Sequence, residues 1–335
     1  MKIAFVMYPG ACFLGKVDGT KMQSIIWKEA LEDKGHQVTL VSPWDNYDWN
    51  SFDIIHVFGL GLWNYDFIHW GSRINPNFVF SPIIDTNTNI YLYKLATHLG
   101  CRKTRLYTQN YALRLLKTDI KMFYARTQHE AYYLHEGYGI ESDKISLVPL
   151  SYRTDEYNPH IEREPFCLFA GTMTQERKNV PNLIKAAIKY GFKLVLVGNT
   201  GNEESFQKLK RLIGTASNIE VKGYVSDKEL LLLYNRAKVF ALPSINEGVG
   251  LVALEAAVHG CNIVITNIGG PKEYYNNELA NIVNPYDIDD IGNSIVKSLN
   301  DDAQQPALRN HIIENYSIDC CIAKLIDSYH KVLKS

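Results

Sequence analysis

The sequence predicts an α/β protein made of two doubly wound domains. Short apolar runs alternate with amphipathic segments, an order typical of parallel sheets covered by helices. The charged segment 153–165, which has two prolines, interrupts this alternation, and CLFAG then restarts it. The 335 residues are 46% apolar, enough for two hydrophobic cores. We therefore expect domains over 1–157 and 158–315, and a C-terminal helix over 316–335 that packs back towards the first domain.

The predicted strands follow one another with helices between most of them. In the first domain they are KIAFVMY, QVTLVS, DIIHVF, NFVFSPII and KMFYA, and in the second CLFAG, FKLVLVG, IEVKG, KVFAL and CNIVIT. A helix at about 20–34 should end at Gly35, because glycine readily adopts the left-handed conformation found after helices. Ser226 and Glu229 form an S-x-x-E capping box, which predicts the start of the helix KELLLLYNRA.

Composition excludes several classes of protein. No run approaches the ~20 apolar residues that a membrane-spanning helix needs. Pro9 and Gly10 end the first apolar run too early for a signal peptide, so it is predicted to be a strand. The six cysteines contain no C-x-x-C pair, which favours reduced thiols in the cytoplasm over a zinc site.

Two glutamates, Glu247 and Glu255, stand eight positions apart in INEGVGLVALEAAVHG. Gly248, Val249 and Gly250 precede a helix-like run from Leu251, and the free N–H groups of such a helix start suit a phosphate or a sugar hydroxyl. One carboxylate then belongs to the loop and one to the helix, and both can face one ligand. The alternative is a helix start with solvated acids, stabilised by the helix dipole alone.

With KVFAL, Pro243 and Ser244 before it and CNIVITNIGGPKEYY after it, this stretch resembles the E-x(7)-E signature of glycosyltransferase family 4. These enzymes are retaining nucleotide-sugar transferases of the GT-B fold, with two Rossmann-like domains that face each other across a cleft. The resemblance implies that Glu255 binds the ribose hydroxyls and Glu247 the hydroxyls of the transferred sugar. The N–H groups from Val249 to Leu251 would lie near the phosphates. No metal or other cofactor is implied.

The segment FAGTMTQERKN resembles the first strand and basic pair of the family's donor domain. Gly171 would approach the donor, and Arg177 and Lys178 would stabilise the charge that develops on the leaving diphosphate. Thr172 stands where many relatives have an arginine, so the share of each cation stays open, and one of them could be a solvated surface charge. Farther along, Gly223, Tyr224 and Val225 match the nucleobase region, although Tyr224 could equally serve packing.

The first loop allows two interpretations. Gly10, Gly15 and Lys16 reproduce most of a G-x(4)-G-K phosphate loop, but Val17 lacks the hydroxyl that would hold magnesium. The resemblance instead puts Gly19 close to the donor diphosphate or the acceptor, where a glycine allows close backbone approach. An ordinary turn between a strand and a helix is the remaining alternative.

Asp85 follows a predicted strand, where many relatives have a histidine that contacts the donor sugar. It could bind a sugar hydroxyl or the acceptor, stabilise positive charge at the anomeric carbon, or simply cap a helix. In this family the donor phosphate is usually described as the base, so no protein base is required. His56 is predicted to be packed in the core. Asp287 and Asp289 form a D-x-D motif, better explained by helix capping than by a metal.

Basic residues concentrate between 94 and 126. Interleaved leucines make parts of this stretch amphipathic, which suits adsorption to an anionic membrane, with a plain solvated face as the alternative. Nucleic-acid binding is not expected, because no known binding module accompanies the charge. Against the single acid Asp119, the basic residues are Lys94, Arg102, Lys103, Arg105, Arg114, Lys117, Lys121 and Arg126.

The sequence as a whole predicts a retaining, metal-independent glycosyltransferase. We expect it to move a hexose or N-acetylhexosamine from a nucleoside-diphosphate sugar, with UDP as the expected nucleotide, to a glycan acceptor linked to a lipid diphosphate. Bacterial surface-polysaccharide or O-antigen-type synthesis, at the inner face of the plasma membrane, is the expected setting. The alternatives are a nucleotide-sugar epimerase of the same fold and, with less support, a phosphate-loop nucleotide-binding protein.

Overall fold

The computed structural model describes residues 1–8, 19–154, 156–275, 278–301 and 304–335. The strands in these ranges are β1 (Lys2–Val6), β2 (Gln37–Leu40), β3 (Ile54–Phe58), β4 (Phe78–Ser81), β5 (Gly100–Cys101), β6 (Leu106–Tyr107), β7 (Met122–Ala125), β8 (Ile145–Leu147), β9 (Glu164–Ala170), β10 (Lys193–Val197), β11 (Ile219–Gly223), β12 (Ala237–Leu242), β13 (Asn262–Thr266) and β14 (Asn281–Val283). The helices are α1 (Gly19–Asp33), α2 (Trp63–Gly71), α3 (Ile90–His98), α4 (Gln109–Leu116), α5 (Gln128–Tyr132), α6 (Val180–Tyr190), α7 (Glu203–Ile213), α8 (Asp227–Arg236), α9 (Leu251–Val258), α10 (Ile288–Asn300), α11 (Ala307–Tyr316) and α12 (Ile318–Lys334).

The chain forms two compact units. The first comprises Met1–Leu150 together with Ile318–Ser335, and the second comprises Ser151–Ser317. The division falls a few residues before the one predicted after residue 157. Much of the segment predicted as a linker is attached to the second unit, because Arg163 donates a hydrogen bond to the Ala237 carbonyl over 2.7 Å.

The first unit is built on a parallel sheet with the strand order β2-β1-β3-β4-β7-β8. In its core, His56 on β3 is fully buried. One ring nitrogen lies 2.6 Å from the hydroxyl of Tyr329 on α12, and the other lies 2.8 Å from the hydroxyl of Ser81. Burial lowers the pKa of His56. The prediction of a packed histidine with satisfied hydrogen bonds is therefore confirmed.

The second unit is built on a parallel sheet with the order β11-β10-β9-β12-β13-β14. From β9 the chain adds β10 and β11 on one side, then crosses to add β12, β13 and β14 on the other. The crevice at the carboxyl ends of β9 and β12 is therefore the topological switch point, the usual ligand position in such sheets.

The capping predictions agree with the observed helix ends. The Ser226 hydroxyl accepts a hydrogen bond from the Glu229 N–H over 3.2 Å, immediately before α8. Asp287 caps α10 by accepting hydrogen bonds from the N–H groups of Asp289 and Asp290. The Asp289 carboxylate forms an ion pair with Lys189, so both aspartates of the D-x-D motif have structural partners.

The basic stretch 94–126 does not form one continuous surface. It is divided among the end of α3, the antiparallel β5–β6 hairpin, α4 and β7. Leu113 and Leu116 are core residues, and the Arg126 side chain is only 9% exposed. These leucines and Arg126 serve packing within the unit, and membrane contact through 94–126 stays a prediction. Among the described residues, no helix is both long enough and apolar enough to cross a membrane.

Candidate active site

Two loops meet at the switch point of the second sheet. The loop after β9 ends in the 3₁₀ turn Glu176–Lys178, and the loop after β12 runs through 243–250 into α9. The Arg177 carbonyl accepts hydrogen bonds from the backbone N–H groups of Ile245, over 2.8 Å, and Asn246, over 3.3 Å. The backbone therefore holds the predicted basic pair beside the predicted first glutamate.

Glu247 and Lys178 form a close ion pair in this crevice. Their side chains are only 11% and 10% exposed, so neither is a solvated surface charge. The Arg177 guanidinium lies 3.4 Å from each Glu247 oxygen but is 44% exposed. Sequence reasoning left the two cations equivalent, whereas the structure makes Lys178 the enclosed partner and Arg177 the more accessible one.

Asn179 helps to hold Lys178 in place, a role that sequence reasoning missed. Its backbone is left-handed, with φ of 57°, and its side-chain amide donates to the carbonyls of Pro243 over 3.0 Å and Pro285 over 2.6 Å. Asparagine tolerates this conformation better than most residues, so its place directly after the basic pair was an available signal.

Glu255 lies on α9 and is 2% exposed. The Arg153 guanidinium engages both of its carboxylate oxygens, with Nη2 at 3.0 Å from Oε2, and the Tyr234 hydroxyl lies 3.4 Å from the same oxygen. The hydrogen bond to Glu255 raises the pKa of Arg153 more than burial lowers it. Burial, followed by the charge of Glu255, raises the pKa of Tyr234. Arg153 was missed because no local pattern connects it to a residue 102 positions away.

The start of α9 offers backbone donors. Gly250 has φ of 79°, and a Cβ there would lie 2.9 Å from Leu242 Cδ2, so the position requires glycine on two counts. No side chain caps this helix start. Gly248 and Val249 are buried beside it, and Leu251 is the first helical residue. The positive end of the helix dipole therefore lies at the switch point.

Three glycines end neighbouring strands of this sheet. Gly171, Gly198 and Gly223 all have positive φ, and a Cβ on Gly198 would come within 2.2 Å of the Gly171 carbonyl oxygen. After Gly223, the Tyr224 side chain is 77% exposed and Val225 is half-buried. The alternative that Tyr224 serves packing is therefore wrong.

The first unit contains a cavity of about 610 Å³ at the carboxyl ends of its strands. Its lining includes Tyr8 after β1, Gly59 after β3 and Asp85 after β4, together with Tyr93 of α3 and Gln109 of α4. The wall thus combines hydroxyl, amide and carboxylate groups with an aromatic ring, a mixture that suits a polar organic ligand.

Asp85, whose side chain is 41% exposed, is joined to a buried ion pair. Arg126 Nη2 donates to Asp85 over 2.6 Å, and Arg126 Nε donates to the buried Glu130 over 2.8 Å. Burial acts to lower the pKa of Arg126, but the charges of Glu130 and Asp85 outweigh it and raise that pKa. Nearby, Ile83 has φ of 61°, a strained backbone for a β-branched residue.

The structure also bears on the alternatives for Asp85. Asn89, rather than Asp85, caps α3 by accepting a hydrogen bond from the Tyr91 N–H. Gly19 is the first residue of α1. The phosphate-loop alternative depends on residues 10–17, which lie outside the described ranges.

Comparisons with known proteins bear on both units. Residues 153–317 match the family model described as "Glycosyl transferases group 1". The "O-antigen chain mannosyltransferase B" of Escherichia coli is 31% identical over 176 residues, 49% of this chain and 45% of that protein. The "O-antigen chain mannosyltransferase RfbU" of Salmonella typhimurium is 26% identical over 185 residues, 54% of this chain and 52% of that protein. The chain thus spans about half the length of the curated relatives it matches.

Solved structures resemble the whole chain. Sucrose-phosphate synthase from Thermosynechococcus elongatus has a TM-score of 0.76 at 14% identity, with 100% of both chains covered. Anabaena Alr3699/HepE in complex with UDP has a TM-score of 0.75 at 14% identity, covering 99% of this chain and 100% of that one. The predicted fold class, two doubly wound Rossmann-like α/β domains of the GT-B type, is confirmed.

Proposed function

We propose that the protein transfers a hexose or N-acetylhexosamine from a nucleoside-diphosphate sugar to a glycan, with retention of anomeric configuration and without a metal. The observation that supports this most is the enclosed Glu247–Lys178 pair at the switch point, beside the uncapped start of α9. A carboxylate there suits sugar hydroxyls, while the cations and helix dipole suit a diphosphate.

The donor is proposed to occupy the second unit. Glu255 binds the ribose hydroxyls, the backbone from Gly248 to Leu251 faces the phosphates, and Tyr224 and Val225 lie next to the base. Gly171, which directly follows β9, leaves room for close approach of the donor. Arg153 holds the oxygens of Glu255, so ribose binding requires this arginine to move or to share them.

The proposed chemistry is front-face substitution at the anomeric carbon. The bond from this carbon to the diphosphate oxygen breaks, and a bond to the acceptor oxygen forms on the same face. The acceptor proton passes to the departing phosphate oxygen, so no protein base is needed. Lys178 and Arg177 act by stabilising the charge that grows on this leaving group. Glu247 orients the sugar through its hydroxyls.

The acceptor is proposed to enter the cavity of the first unit, with Asp85 and Gly19 near it. A carboxylate held by Arg126 is fixed in position and can accept a hydrogen bond from an acceptor hydroxyl. The names of the relatives favour mannose among hexoses and an O-antigen-type glycan, and the UDP complex of a structural neighbour favours UDP. A lipid-diphosphate-linked acceptor and a cytoplasmic, membrane-peripheral location complete the proposal.

Ligand binding followed by product analysis tests this function. UDP should raise the melting temperature of the protein by at least about 2 °C, even when EDTA removes divalent metals. GDP is measured in the same way as the alternative nucleotide. A donor sugar incubated with glycan acceptors should then yield a longer glycan with an α or β linkage that matches the donor anomer. Inverted product, a requirement for divalent metal, or epimerised donor without an acceptor would each contradict the proposal.

A further inference from the structure

One surface of the first unit exposes large apolar side chains in an unusual concentration. On α3 and just after it, Leu92, Leu95 and Leu99 are 62%, 60% and 56% exposed, and Tyr91 beside them is 80% exposed. Leu106, on the β5–β6 hairpin that follows, is 66% exposed. Most leucines on a helix of a globular protein face the core, so this face requires an explanation.

The opposite face of α3 already has its partners. Tyr93 is 7% exposed and its hydroxyl lies 2.9 Å from that of Tyr138. The buried Thr97 hydroxyl donates to the Gly137 carbonyl over 3.0 Å. Packing within the unit therefore fixes α3 through this side. The leucines at positions i, i+3 and i+7 form a separate stripe on its outer side.

Charged side chains of this part of the chain have a single sign. Lys94, Arg102, Lys103 and Arg105 are all exposed, and residues 86–118 contain no aspartate or glutamate. Within the described ranges, none of these four cations forms an ion pair with a carboxylate. The chain as a whole has a net charge of −1, so this concentration of positive charge is local.

We propose that this 91–106 surface, defined by Tyr91, Leu92, Lys94, Leu95, Leu99, Arg102, Lys103, Arg105 and Leu106, docks on an anionic phospholipid bilayer. The leucine stripe enters the boundary between headgroups and acyl chains, Tyr91 lies at the headgroup level, and the cations contact lipid phosphates. An apolar stripe on a segment whose charged side chains are all cations complements an anionic leaflet. The surface is narrower than the stretch 94–126, since it excludes the buried Leu113 and Leu116 and the paired Arg126.

This placement has a consequence for the cavity of the first unit. Tyr93 and Ala96 of α3 line that cavity, while Leu92 and Leu95 belong to the outer face of the same helix. The cavity would therefore lie one helix away from the lipid. If the proposed function holds, a glycan attached to a membrane lipid can enter this cavity while its lipid anchor stays in the bilayer. The docking itself does not depend on that function.

Flotation of the full chain with vesicles tests the docking. We expect binding to phosphatidylcholine vesicles with about 30% phosphatidylglycerol, weak binding to pure phosphatidylcholine, and release in about 0.5 M NaCl. The apolar variant L92S/L95S and the charge variant K94Q/R102Q/K103Q/R105Q should each weaken partitioning at least about tenfold. All six substituted positions are exposed, so folding should be retained, and circular dichroism checks this.

Matched controls lie on the second unit. I188S/L232S removes two other exposed apolar side chains, and K185Q/K193Q/R211Q/K228Q removes four other exposed cations. Both should bind vesicles like the unmodified chain. Equal losses in test and control variants, or unchanged binding in both test variants, would overturn the proposal. So would sedimentation showing a dimer that L92S/L95S dissociates while vesicle binding is absent, since the surface would then be a contact between two copies.

Discussion

Arg153 and Glu255 form a two-point ion pair in which the guanidinium fork occupies both carboxylate oxygens. The carboxylate is 2% exposed and the arginine side chain 35% exposed, so the pair encloses one charge and leaves the other partly in water. A vicinal diol would use the same two oxygens. The ion pair with Arg153 therefore competes directly with the proposed binding of ribose to Glu255.

Substitution of Arg153 should separate stability from ligand affinity. R153Q leaves Glu255 buried with one weak hydroxyl partner, and we expect a loss of about 1–3 kcal/mol in the free energy of unfolding. UDP should bind R153Q a few-fold more tightly than the unmodified chain, because no arginine must be displaced. Urea denaturation and isothermal titration calorimetry measure the two quantities.

R236Q, which breaks the more exposed pair with Glu164, is the control and should change neither. Weaker UDP binding by R153Q would mean that Arg153 contacts the donor instead.

Lys178 should matter to the rate far more than to the fold. K178A removes the enclosed cation beside Glu247, and we expect kcat to fall about 100- to 1,000-fold, the usual effect of losing one charge-stabilising group. The KM for the donor should change much less than kcat, because the leaving-group charge is largest in the transition state. The control K189A removes a lysine that is 58% exposed, and its kinetics should be unchanged. Full activity of K178A would reject its assignment as a catalytic residue.

Two glycines in the second unit distinguish backbone strain from steric overlap. Gly191 has φ of 73° and open space around a built Cβ, so G191A should cost about 1–2 kcal/mol for the left-handed backbone alone. Gly198 has φ of 119°, and its Cβ would lie 2.2 Å from the Gly171 carbonyl oxygen. We expect G198A to be worse by at least about 1–3 kcal/mol, because backbone must shift to accept the methyl group. Denaturant midpoints measure the difference. Equal effects would show that the approach of the two strand ends is not rigid.

His56 should make stability dependent on pH in the acid range. Burial holds its folded-state pKa below the unfolded value of about 6.5. As the pH falls, the folded state therefore binds fewer protons than the unfolded state does. Its stabilising contribution is complete above about pH 6.5 and declines below it, with a limiting slope of about 1.4 kcal/mol per pH unit. Urea midpoints from pH 8 to pH 5 measure this slope, and H56Q should reduce it. An unchanged slope in H56Q would assign the acid sensitivity to other groups.

Local sequence patterns predicted the elements that build the site with good accuracy. The capping box at Ser226, the capping role of Asp287 and the positions of Glu247 on a loop and Glu255 on a helix all agree with the structure. These features depend on residues within a few positions of one another. Backbone hydrogen bonding and side-chain periodicity act over that range, so they are visible in the linear order.

Contacts between distant residues were not predictable in the same way. Nothing near Glu255 indicates Arg153, and nothing near Asp85 indicates that Arg126 joins it to the buried Glu130. The stretch 94–126 looked uniform because charge and leucine content do not reveal which side chains meet a core. Packing against other elements buries Leu113 and Leu116 and leaves Leu95, Leu99 and Leu106 exposed.

The sequence by itself therefore determined the order of ten of the fourteen strands described, the two-unit α/β architecture and the place of the glutamate pair. The tertiary structure alone decided which charges are enclosed, which partners they have and which leucines are exposed. The physical reason is that burial and ion pairing depend on neighbours from other parts of the chain. Only the folded sheets bring Lys178 to Glu247 and Arg153 to Glu255.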